Sequence, residues 1–171
     1  MQRFFVAATL AALLTPSLAS GQTPPPTNCP VYETDLTAGQ TIPAGTVRVS
    51  NTPTMLYIEI DTNDDWDLGV VHIYASTVDL PLNGGGNPVP GSFPYQTVYT
   101  PAEDVHVEAI PLSDLQVDCD DNLYIAIHCD VYDASGNSET AWAEGPKTWP
   151  GSRWGWYFCY TVCCDDLDCP E

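Results

Sequence analysis

The sequence predicts an all-β fold, a disulfide-stapled antiparallel β-sandwich of about seven to nine strands. Three observations carry that expectation. Short runs of β-branched and aromatic residues with period-two alternation recur along the chain, separated by clusters of Gly, Pro, Asn and Asp. No window of a dozen residues carries a helical stripe. The seven cysteines, Cys29, Cys119, Cys129, Cys159, Cys163, Cys164 and Cys169, all follow an export signal. An oxidising compartment would let up to three disulfides form and leave one thiol over.

Residues 1–21 read as that signal: Met1-Gln2-Arg3, an apolar run from Phe4 to Leu14, then small residues that allow cleavage before Ser20 or Gln22. The run is too short to span a bilayer, no later one approaches that length, and no cysteine sits where a lipid would be attached. A released, soluble, secreted protein is expected. Residues 22–28 form a Pro-rich spacer around Pro24-Pro25-Pro26 that has no reason to pack. The sandwich is expected over residues 29–163. Residues 164–171 make an acidic tail, and at least one of Cys163, Cys164 and Cys169 should anchor it to Cys29 or Cys119.

Within the domain, Val47 to Val49, Met55 to Asp61 and Val70 to Ala75 read as strands, the last two joined by an acidic turn. Leu80 to Tyr95 is a long loop whose Gly and Pro content forbids regular pairing. Loops of that length are usually functional or mobile. Tyr95 to Tyr99 and Val105 to Ile110 read as a strand pair. Asn122 to Tyr132 gives the strongest strand signal, with Leu123, Ile125, Ile127, Cys129 and Val131 on the core face. Glu139 to Ala143 continues extended, and Gly155 to Val162 closes the domain.

A string of residues resembles a β-rich module found repeatedly in secreted and cell-surface proteins of bacteria. It comprises Trp66, His72-Ile73-Tyr74, Leu80-Pro81, Gly86-Asn87-Pro88-Val89-Pro90-Gly91-Ser92-Phe93-Pro94-Tyr95, Ile110-Pro111-Leu112, Ile125-Ala126-Ile127-His128 and Ser138-Glu139-Thr140-Ala141-Trp142-Ala143-Glu144-Gly145. The likeness covers roughly residues 54 to 162. It implies export, a β-rich fold and a bacterial origin, and nothing about chemistry.

The formal net charge is −19, and all 23 Asp and Glu residues lie beyond the signal, opposed there only by Arg48, Lys147 and Arg153. Nucleic acid and anionic membranes would be repelled. Such charge serves solubility in its plainest reading and cation binding in its sharper one.

Two metal sites are conceivable. Asp61, Asn63, Asp65 and Asp67 alternate as in a calcium loop, although Trp66 stands where that pattern needs Gly and His72 where it needs a bidentate Glu; an ordinary acidic turn has the same residues. His72 and His128 sit mid-strand and would converge if their strands are neighbours. With Glu139 or Glu144 they would supply the nitrogen and carboxylate ligands of a transition metal; the alternative is a pair of hydrogen-bonded sheet residues. His106 is expected to be exposed.

Catalysis has little footing. No nucleophile elbow, metalloprotease helix or phosphate loop is present, and Glu139 with Glu144 is one of many chance carboxylate pairs that a glycosidase would need. Aromatics offer a better surface. Trp142, Trp149, Trp154 and Trp156 fall within 15 residues, and flat rings stack on sugars and on proteins alike. Trp149 and Trp154 flank Pro150-Gly151-Ser152-Arg153 and are expected to be exposed, while Trp156 belongs to the core. The expected function is therefore a secreted, non-catalytic module that contacts a glycan or cell-surface protein through Trp149, Trp154, Phe93, Tyr95 and Trp142. The alternatives are a metal-binding protein and a polysaccharide hydrolase.

Overall fold

A computed structural model describes residues 23–25, 27 and 29–163. The expected signal peptide and most of the tail lie outside the described residues. Nine strands form: β1 (Tyr32–Ala38), β2 (Ile42–Asn51), β3 (Met55–Thr62), β4 (Asp67–Ser76), β5 (Tyr95–Glu103), β6 (Val105–Pro111), β7 (Asn122–Tyr132), β8 (Ser138–Ala143) and β9 (Phe158–Thr161). A single helical turn over Leu112–Leu115 follows β6. Every strand pair is antiparallel, and the ladder runs β5-β4-β7-β8-β1-β2-β3-β6, with β9 added on β7.

The ladder folds over on itself, because alternation makes one face of every strand apolar and that face must leave water. Val47, Val49, Leu56, Ile58 and Ile60 from one layer meet Leu68, Val71, Ile73, Ile125 and Ile127 from the other in a single buried core. The core face read for β7 is buried throughout. Cys129 is a free thiol in that core, and burial pushes its pKa up, so it packs as a small hydrophobe and is unreactive.

Two expectations are corrected, and one strand joins those expected. The stretches containing β5 and β6 do not pair with each other: β5 adds to β4 and β6 to β3, so the chain crosses from one layer to the other between them. Strand β1 was not anticipated, because its Glu33-Thr34-Asp35 centre hides the alternation that buries Leu36 and Ala38. His106 is only 3 % exposed, its Nδ1 within 2.8 Å of the Tyr99 hydroxyl and its Nε2 3.6 Å from Glu108 Oε2.

Cys29 is bonded to Cys163, so the expected anchoring of the tail is present, and Cys119 is disulfide-bonded as well. Buried Asn51 ties the same corner. Its Oδ1 accepts from the Tyr160 hydroxyl at 2.7 Å and from Cys163 N at 3.0 Å, its Nδ2 donates to Cys163 O at 2.9 Å, and its carbonyl accepts from Thr27 Oγ1 at 2.7 Å. The end of the spacer is thus packed at Thr27, contrary to expectation.

Candidate functional site

The outer face of the β4-β7-β8 layer would be the solvent face of an ordinary sandwich. Here two loops cover part of it. The edge of β7 is shared, Asn122 to Ile125 pairing with β9 and His128 to Tyr132 with β8. The segment between β8 and β9, residues 144–157, leaves through that gap and lies over the face. It meets the loop of residues 77–94 there, and between them they bury a second cluster of Tyr74, Leu80, Phe93, Ala126, Trp142 and Trp149.

Asn87 stitches the two loops. Its Oδ1 accepts from Arg153 N at 2.8 Å, and Gly151 N donates to Gly86 O at 2.8 Å. A Cβ on Gly151 would run into Asn87. Trp149 completes the stitch by donating from Nε1 to Arg153 O at 2.7 Å. The expected exposure of Trp149 is therefore corrected: it is 7 % exposed, and its polar handle is spent on holding the loop. Trp142 is 4 % exposed and packs against Trp149 at 4.9 Å between ring centroids. Phe93 is 1 % exposed and lies against Tyr74, and Tyr95 is half-buried against the main core. Of the five expected contact aromatics, Trp154 keeps the most useful position, half-buried in the lining of a cavity of about 280 Å³. Trp156 is half-buried beside Trp154 rather than fully in the core.

Pro88, Pro90, Trp142, Trp149 and Trp154 give that cavity its apolar lining. The polar lining comes from Gln40, His128, Thr140, Ser152 and Arg153. No Asp or Glu is among them, although Asp130 and Glu139 are the next acids along the adjoining strands.

The cavity wall continues into one straight rung across five strands: Gln96, His72, His128, Trp142 and Thr37 are successive cross-strand partners. Strands β4 and β7 are neighbours, so the two imidazoles do converge, with Nδ1 of His72 3.2 Å from Nδ1 of His128. One ring donates and the other accepts. Burial lowers the pKa of both, pushing His128 down to about 4 with further help from His72, while Asp130 partly opposes the fall at His72. Both rings are thus held neutral, with lone pairs available. The His128 ring stands edge-on to Trp142 at 4.9 Å.

Glu144 does not join them. Its Oε1 accepts from Thr37 Oγ1 at 2.7 Å, and alternation along β8 puts Glu139 on the opposite face, with Ala141 and Ala143. That parity separates the two carboxylates that a glycosidase would need on one side of its substrate. The acidic turn is not drawn into a cage either. Asn63 accepts from Asp65 N at 3.1 Å and donates to Pro43 O at 2.9 Å, closing the turn on itself. Asp61 lies 3.9 Å from Arg48, and Asp67 faces Asp104, whose hydrogen bond raises the Asp67 pKa. Among the described residues no three His, Cys, Asp or Glu side chains group as metal ligands.

Sequence reasoning passed over Arg153, Asn87 and Gly155. The Cβ of any other residue at Gly155 would collide with Trp149 and Trp142. For Arg153 a signal was present: one of only three cations beyond the signal stands between two tryptophans in Trp149-Pro150-Gly151-Ser152-Arg153-Trp154.

No family model matches the chain, and no curated protein does. Among solved structures the chain is similar to a candidate carbohydrate-binding protein from Bacteroides uniformis, with 13% identity and a TM-score of 0.39. The match covers 74% of this chain and 57% of that one, so the chain spans a little over half the length of that protein.

Proposed function

We propose that the chain is an extracellular binding module that holds one unit of a glycan in the cavity between the two stitched loops and performs no chemistry on it. The observation that carries this reading is the lining itself: a rigid tryptophan surface rimmed by amide, hydroxyl, imidazole and guanidinium groups. Sugars present an apolar face of C–H bonds and a belt of hydroxyls, so they are recognised by stacking together with a few fixed polar groups. Stitching the loops before a ligand arrives removes an ordering cost that would otherwise weaken binding. The Cys29–Cys163 disulfide suits an oxidising compartment, and among the described residues no helix is long and apolar enough to cross a membrane.

Trp154→Ala tests this reading, because Trp154 lines the cavity and its side chain makes none of the stitching hydrogen bonds. On an array of immobilised glycans the wild type should retain particular structures and the variant should lose them at least tenfold, with unchanged circular dichroism. Retention by the variant would remove the cavity from the reading. An empty array with binding to an outer-surface protein fraction would turn it toward a protein partner.

The His pair favours a second reading, transition-metal binding. Two nitrogens bonded to one tetrahedral ion at about 2.0–2.1 Å stand roughly 3.3 Å apart, close to the 3.2 Å seen here. Such a two-imidazole site would be open, its remaining positions filled by water. Copper(II) should then quench the fluorescence of neighbouring Trp142 at one equivalent, and His72→Gln should abolish that step; quenching unaffected by the substitution would sink the idea.

A further inference from the structure

We infer that the cavity is selective for a sugar carrying a single carboxylate, a uronic or sialic acid residue within an otherwise neutral glycan, with Arg153 as the group that pairs with it. The inference rests on the saccharide reading above and names its ligand class.

The distribution of cations carries the argument. Three basic residues lie among the described residues, and two are engaged. Arg48 lies between Glu33 at 2.8 Å and Glu59 at 2.9 Å, its partners across β1 and β3, with Asp61 at 3.9 Å. Lys147 lies over the rings of Tyr124 and Tyr157, at 5.4 and 5.8 Å, with the Cys159 thiol beside it. Arg153 is in none of the ion pairs found among the described residues. Among the described residues of this acidic chain, the one arginine outside every ion pair lines a cavity that no Asp or Glu lines.

Its placement is fixed by two hydrogen bonds that do not use the guanidinium. Asn87 holds its backbone N–H, Trp149 holds its carbonyl, and Trp154 follows it in sequence beside the same cavity. Asn87 and Trp149 are positioning residues; the guanidinium itself stays available. A planar guanidinium offers a carboxylate two parallel hydrogen bonds, stronger than those it offers a hydroxyl. About 280 Å³ holds roughly one sugar ring, and a single cation answers a single charge. A polyanion would meet the rest of this acidic surface and be repelled.

Isothermal titration with a set of methyl glycosides decides the matter: glucuronide, galacturonide and N-acetylneuraminide against glucoside and galactoside. At least one acidic glycoside should bind ten times more tightly than every neutral one. Arg153→Gln should erase that preference, its acidic and neutral glycosides binding alike, while Arg153→Lys should keep part of it. Neutral glycosides binding as well as acidic ones, or a preference that survives Arg153→Gln, would overturn this inference and leave the saccharide reading standing. No binding of either class at tens of millimolar, with Trp154→Ala equally silent, would overturn both.

Discussion

The imidazole pair shows what one residue's environment can decide. Above about pH 6.5 both histidines are neutral in the folded and the unfolded chain, and their titration leaves stability unchanged. Below that value the unfolded chain takes up protons that folded His128 refuses until about pH 4, because burial and the nearby His72 disfavour its charge. The unfolded state binds more protons across that window, so stability falls as pH falls from 6.5 toward 4. For His128 the loss is on the order of 3 kcal/mol. Urea unfolding at pH 7 and at pH 4.5 should show the wild type losing more stability than His128→Gln, since the many carboxylates are common to both proteins. Equal losses would show that the pair does not resist protonation. The same pair marks the reach of sequence reasoning at this scale: parity put both rings on outer faces, but only the register of β4 against β7 made them partners.

Among the elements, the loop pair is the unit that makes the site. A strand reader sees residues 77–94 and 144–157 as irregular connections, because Gly and Pro remove the alternation that identifies strands. What they do is set by backbone clearance. Gly155 has φ +135 and lies where any Cβ would collide with the Trp149 and Trp142 rings. Gly155→Ala should therefore cost about 3 kcal/mol through strain and overpacking, lower the urea midpoint, shift the tryptophan emission to the red and abolish glycan retention. A variant with unchanged emission and midpoint would show that the tryptophan pair does not depend on that clearance. The expectation that Trp149 is exposed failed for a related reason. Loop position suggests exposure, but an indole with a carbonyl in reach packs inward and becomes the fastener of the loop it belongs to.

At the scale of the whole domain, the two ends of its described part are fastened at one corner by Cys29–Cys163 and by Asn51. The bridge closes a span of 134 residues, so it restricts nearly the whole unfolded domain. Replacing both cysteines with serine should cost about 2–5 kcal/mol, read as a urea midpoint below that of the oxidised wild type; an unchanged midpoint would mean that the Asn51 network suffices. By itself the sequence determined the all-β class, most strands, the apolar face of β7 and the fastening of the Cys163 end, because alternation, turn residues and cysteine chemistry are local properties of the chain. Tertiary structure alone decided that β5 and β6 part to different layers, that His72 and His128 become cross-strand partners, and that Arg153 stands at a tryptophan-lined cavity. Those outcomes depend on register and on loops closing over a sheet face, and contacts between residues tens of positions apart leave no periodic trace in the sequence.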